Sequence, residues 1–171
     1  MKLFVTVLFA ACAASPPPAS PAKPKAPESD VVTVDTPRTT SAGSTFIVPA
    51  TWSVHQTGTM TVLTPPEGKD SHVVLIESTN ADADAARDAA WKLYRPDMTL
   101  PIDKTDDAPG RNGWTKTRQY TYKSDDNHTV VLTAAYGDAH WAVAILDLAN
   151  VIMDLRATDL STIFDHLYPK Q

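Results

Sequence analysis

Cysteine is almost missing: Cys12 stands alone among 171 residues. No internal disulfide can form, so the thiol stays free, bridges to another chain or carries lipid. Glycine occurs six times, and neither Gly-x-Gly-x-x-Gly nor the phosphate-cradling Gly-x-x-x-x-Gly-Lys is present. The strained Gly-x-Ser-x-Gly elbow of α/β-hydrolases is absent. From residue 31 onward no serine has lysine three positions on, the spacing that sets an amine beside a β-lactamase-type nucleophile. His55, His72, His128, His140 and His166 include no His-Glu-x-x-His and adjoin no cysteine pair, so no zinc site is written locally. Excess positive charge is missing too. Fifteen basic against 20 acidic side chains give a formal net charge of −5, which removes the attraction that a nucleic acid or an anionic membrane surface needs.

What is there begins with an export pattern. Lys2 precedes a run from Leu3 to Ala11 that is apolar apart from Thr6, and small residues follow at Ala13, Ala14 and Ser15. Nine residues cannot cross the roughly 30 Å hydrocarbon core as a helix, so 1–14 reads as a signal peptide. Phe9-Ala10-Ala11-Cys12 resembles the bacterial lipobox, which implies lipid on Cys12 and a membrane anchor through it. Alternatively Ala11-Cys12-Ala13 is an ordinary signal-peptidase site and Cys12 leaves with the signal. Residues 15–30 hold six of the 14 prolines among alanine, serine, lysine and glutamate. Such a stretch has too little apolar surface to offset its ordering entropy and reads as a disordered, semi-rigid tether.

From residue 31 the pattern alternates with period two. Residues 31–34, 45–48, 52–55, 60–63 and 72–76 read as short strands broken by proline, glycine and small polar residues. Residues 81–95 change to helical spacing, with Asn80 or Asp82 as cap, Ala83, Ala86, Ala90 and Leu93 on one face, and Trp91 and Tyr94 widening it. Pro96 stops this helix. After a polar loop over 97–110, runs at 114–123, 128–136 and 140–147 read as a meander, with Trp114, Tyr120 and Tyr122 sharing one parity and Trp141, Val143 and Ile145 another. Leu160, Ile163, Phe164 and Leu167 write a last helix, which Val151, Ile152 and Leu155 extend upstream. Strands joined by short turns, with two helices, predict an α+β domain over 31–171: one twisted antiparallel sheet with two packed helices.

Residues 45–52, Thr-Phe-Ile-Val-Pro-Ala-Thr-Trp, resemble the opening of PsbP-like α+β domains of bacterial envelope proteins. Residues 62–68, Ala81-Asp82-Ala83, Asn112-Gly113-Trp114, Trp141-Ala142-Val143 and Leu167-Tyr168-Pro169 are together similar to an accessory amino-terminal domain. In some exported bacterial proteins that domain precedes a serine-β-lactamase-like hydrolase domain. The resemblance spans about 41–170 and rests on packing and turn residues, so it implies a fold and no chemistry.

No acid–base constellation stands out. His72 with Glu77, or His140 with Asp138, have the spacing to share a cation, but solvated strand ends account for them. Asp125-Asp126-Asn127 reads as a turn, Asp103, Asp106 and Asp107 as loop charges, and Trp52, Trp91, Trp114 and Trp141 as core. Arg111, Asn112 and Trp114 join a cation, an amide and an aromatic at a strand entrance and form the candidate binding surface, with Asn112-Gly113 equally a turn. No catalytic residue, metal ligand or cofactor is implied. The chain reads as a non-catalytic envelope lipoprotein that binds an envelope protein or a small ligand, or as a standalone or truncated accessory domain of a β-lactamase-like serine hydrolase that lacks the catalytic part.

Overall fold

The computed structural model describes residues 30–68 and 70–170. The signal, Cys12 and the tether up to residue 29 lie outside the described residues. Alternating apolar residues and turn-forming breaks produce, in chain order, β1 (Asp30–Val31), β2 (Thr36–Thr39), β3 (Thr45–Val48), β4 (Ser53–Thr57), β5 (Met60–Thr64) and β6 (His72–Ser78). Then come α1 (Ala83–Tyr94), β7 (Ile102–Pro109), β8 (Lys116–Tyr122), β9 (His128–Gly137), β10 (His140–Ala149), α2 (Asn150–Leu155) and α3 (Ala157–Asp165).

Eight strands form one antiparallel sheet in the order β1-β4-β5-β6-β10-β9-β8-β7, and β2-β3 forms a separate pair. The expectation of one sheet and two helices is thereby corrected. The second sheet arises at residues 36–39, whose Thr-Pro-Arg-Thr carries no apolar alternation and pairs with β3 through its backbone. The third helix arises because the terminal helix breaks at Arg156, whose side chain turns to Glu67 and to Asp159 at 3.2 Å. The expected strand at 31–34 also shrinks: only Val31 pairs, against Ser53.

Each face of the sheet carries its own core. On one face Val74, Ile76, Leu132, Ala134, Val143 and Ile145 lie under α1. Asp82 caps that helix, its Oδ1 accepting the Ala85 N–H at 2.8 Å. Ala83, Ala86 and Ala90 face the sheet as expected, and small side chains let the helix approach closely. Leu93 is a correction. It is 46% exposed, and Trp91 takes the inward place, with its Nε1 donating to the Tyr122 hydroxyl at 2.7 Å. On the other face Leu63, Val73, Leu75, Ala142, Ala144 and Leu148 pack with Phe46, Trp52, Leu160 and Ile163. Trp52 also donates to Asp159 Oδ2 at 2.9 Å, which ties the β3–β4 turn to α3.

The stretch 97–110, expected as a loop, contains the edge strand β7. Its side chains are exposed on both faces, so no hydrophobic pattern announces it. Pairing with β8 holds it, and its charges, Pro109 and a bulge near Ile102 are the devices that keep an edge from pairing further. Trp114 also departs from its expected parity: it precedes β8 and turns to the face opposite Tyr120 and Tyr122.

Gly110 sits where the chain turns from β7 toward β8, and a Cβ there would lie 1.9 Å from the Trp114 carbonyl oxygen. Gly110→Ala is expected to lower stability by about 3 kcal/mol, the upper range for forced overpacking. Gly58→Ala, with open space but φ of +58°, should cost about 1 kcal/mol. Urea unfolding midpoints compare the two, and equal losses would contradict the backbone clash.

Candidate functional site

Residues 111–114 make the β7–β8 turn. The Trp114 N–H returns to the Arg111 carbonyl at 3.0 Å, and Asn112 and Gly113 both take left-handed backbone angles, φ +55° and +88°. Asn-Gly is the pair that accepts two such angles at low cost. The turn has a second task. Asn112 Nδ2 donates to the carbonyls of Phe164 and Asp165 at 3.2 and 3.1 Å, satisfying acceptors left open at the end of α3. Trp114 Nε1 donates to the Leu167 carbonyl at 3.0 Å, and Gly113 leaves room for Pro169. The turn therefore clamps the last helix to the sheet.

Beneath that clamp a groove of about 370 Å³ opens between α3 and the sheet. Ala135, Ala142 and Ala144 form part of its floor, with Val131, Thr133 and Leu146 beside them, and Leu160, Phe164 and Leu167 overhang it. Short side chains on β9 and β10 leave the space unfilled. The structure brings Arg111, Asn112 and Trp114 together at this groove. They differ in character: Arg111 is 68% exposed and lies 3.7 Å from Asp165, Asn112 is committed to the helix end, and Trp114 is buried as a wall. Mostly apolar walls with a few hydroxyl and amide groups from Thr117, Gln119, Thr133 and Ser161 suit a small, largely apolar ligand.

No protein-family model matches the chain, and no curated protein matches it. Among solved structures, the solution structure of cyanobacterial PsbP (CyanoP) from Synechocystis sp. PCC 6803 superposes with a TM-score of 0.57. It covers 81% of this chain and 94% of that one, at 9% sequence identity. The fold is PsbP-like. At that identity the likeness speaks for the fold alone, and the PsbP-like sheet places two buried polar clusters that sequence reasoning missed.

The first joins Thr40, Ser44, Glu77 and His140, all buried. His140 is no solvated strand end, as the sequence suggests. Its Nδ1 lies 3.2 Å from the Asp138 carbonyl, and its Nε2 lies 3.0 Å from Glu77 Oε2 and 3.4 Å from Ser44 Oγ. Trp114 stands edge-on to its ring at 5.8 Å. Serine, histidine and glutamate meet here, yet both oxygens address the same nitrogen, whereas a relay needs hydroxyl and carboxylate on opposite nitrogens. The cluster ties the turn at 40–44 to the sheet, with Thr40 Oγ1 donating to Glu77 Oε1 at 2.6 Å. The letters Ser-x-x-Lys do occur once, at Ser20 to Lys23, outside the described residues.

The second cluster centres on Asp147, on the α1 face. Oδ2 accepts the Tyr94 hydroxyl at 3.0 Å and Arg95 Nη1 at 2.8 Å, and Oδ1 lies 2.5 Å from His128 Nε2. His72 Nδ1 reaches the Tyr94 oxygen at 2.9 Å. Burial pushes the Asp147 carboxyl up, but hydrogen bonds from His128, Arg95 and Tyr94 outweigh it and hold the group below its ordinary value of 3.8. Burial pushes the His72 imidazole below 6.5, partly offset by Asp147. Both Asp147 oxygens are occupied, and the Tyr94 hydroxyl beside His72 gives its proton to Asp147 rather than to the imidazole, so the arrangement fastens the end of α1 to β9 and β10. Among the described residues no three histidines, cysteines, aspartates or glutamates gather as a metal site.

The two shifts act in different pH windows. The stability that Asp147 contributes is complete well above 3.8 and is lost as pH falls through its depressed folded value. For His72, the unfolded chain takes up a proton near 6.5 and the fold resists it, so stability declines as pH falls from 6.5 to the lowered folded value and then levels off. His72→Gln, which keeps a donor for Tyr94, is expected to flatten the decline that begins as pH falls through about 6.5 by less than about 1 kcal/mol, because solvent screens a half-buried ring. The steeper loss below pH 4 should remain. Thermal unfolding across pH checks both, and an unchanged decline in the upper window would refute the role of His72.

Proposed function

We propose that the chain is a non-catalytic binding domain of the bacterial envelope. In this reading it is exported, anchored by lipid on Cys12, spaced from the membrane by the proline-rich tether, and takes a small apolar ligand in the groove under α3. The groove carries the reading: an open space of about 370 Å³ with largely apolar walls, bordered by Arg111 and closed at one end by Trp114. The PsbP-like fold and the lack of a hydroxyl–imidazole–carboxylate relay in either polar cluster support a binding role. The export pattern, lipobox and tether support the location. No helix among the described residues is long and apolar enough to cross a membrane, and in this reading the anchor is the lipid on Cys12.

A second reading, an accessory domain for a separate serine-β-lactamase-like hydrolase, has one observation in its favour. Asn112-Gly113-Trp114 and Leu167-Tyr168-Pro169, two of the segments similar to such domains, meet at the groove. A hydrolase partner would then dock across that clamp.

Anilinonaphthalenesulfonate, an apolar fluorescent probe, should bind saturably at one site, and Thr133→Phe, which fills the groove from a half-buried position, should weaken it at least tenfold while the protein stays folded by circular dichroism. Unaltered affinity in that variant would dismiss the groove. In cells, radioactive fatty acid should label the wild type and leave Cys12→Ala unlabelled; equal labelling removes the anchor. Nitrocefin should turn over no faster with the purified protein than in buffer.

A further inference from the structure

On the α1 face a second cavity, about 760 Å³, opens between residues 95–100 and the β8–β9 turn. Asp147 forms its floor, His72, Tyr94 and His128 stand in its walls, and Met98 and Leu100 supply an apolar side. Hydrogen bonding fixes the tautomers of both imidazoles. Tyr94 gives its proton to Asp147, so its oxygen accepts from His72 Nδ1–H, and His128 gives its Nε2–H to Asp147. In the neutral form the rings present lone pairs at His72 Nε2 and His128 Nδ1, which meet no donor among the described residues. Asp70, Asp97 and Asp125 also line the cavity, and none is in an ion pair among the described residues. Among the described lining residues four carboxylates face one guanidinium, Arg95, an excess of three negative charges, and Arg95 is already bound to Asp147.

An occupant must bring hydrogen-bond donors, distributed positive charge and an apolar body. A single metal ion does not answer this, because no three ligating groups among the described residues converge on one point. We propose that this cavity binds a linear polyamine, its ammonium groups at the aspartates and imidazole lone pairs and its methylenes along Met98, Leu100 and the Tyr94 ring. Charges spaced along a flexible aliphatic chain match carboxylates spaced around an open cavity, and the buried Asp147 keeps the walls in place.

Isothermal titration of the full chain with spermidine at physiological salt tests this. One saturable site is expected, with affinity at least tenfold weaker in Asp97→Asn/Asp125→Asn, which removes two rim charges and leaves the Asn127 turn bond an equivalent acceptor. Asp103→Asn/Asp106→Asn on β7 removes the same charge elsewhere and should change nothing, as should Thr133→Phe, which separates this site from the groove under α3. Absence of saturable binding, or equal weakening by the β7 variant, would overturn the proposal by showing at most general attraction to an acidic protein. Magnesium competing at the same charge concentration would overturn it as well.

Discussion

Burial of β10 on both faces is the constraint from which the rest of the architecture follows. The strand lies between β6 and β9, with α1 over one face and α2 and α3 toward the other. Its residues 140–149 are therefore nearly continuously apolar. Side-chain size alternates along it. Trp141, Val143 and Ile145 point to the α1 face, where an alanine-surfaced helix fits against them. Ala142 and Ala144 point the other way, where α3 bears Leu160 and Phe164 and Leu167 follows its end, and the mismatch leaves the groove. One strand thus sets a dense layer on one side and an open one on the other.

How far this was legible depends on what each residue answers to. The meander, α1 and its Asp82 cap, and the buried tryptophans follow from period, capping chemistry and size, all local properties. β7 was invisible because it buries neither face and is held by backbone pairing, which leaves no mark on side-chain choice. Trp114 escaped its parity because it belongs to the turn and the chain bends at Thr115 before β8 begins. Arg156 broke the last helix through partners as remote as Glu67. His140 and Asp147 were the hardest. Polar residues at the ends of an apolar run look like solvent-facing termini, and only the register with β6 and β9 shows that Glu77 and His128 are waiting there.

The two polar clusters also separate composition from chemistry. Serine, histidine and glutamate within hydrogen-bond reach do not make a relay when two oxygens compete for one nitrogen, and a buried carboxylate with three donors is already fully engaged. Both clusters sit where loops or helix ends must be fastened to the sheet, and a buried polar group of this kind stabilises only while every partner is present. Their value lies in fixing which loop goes where.

The order of the sheet has a mechanical corollary. The described chain starts at β1, on the edge opposite β7, and β1 is joined to its neighbour by only two residue pairs. A pull on the chain at Asp30 would load that short seam first and then the Val32–Trp52 and Thr51–Val32 backbone bonds at 3.0 and 2.8 Å. Trp52 is fully buried and bonded to Asp159 of α3, so tension would be grounded in the hydrophobic interior. The groove floor, four to six strands away at about 4.8 Å per strand, would sit outside the line of force.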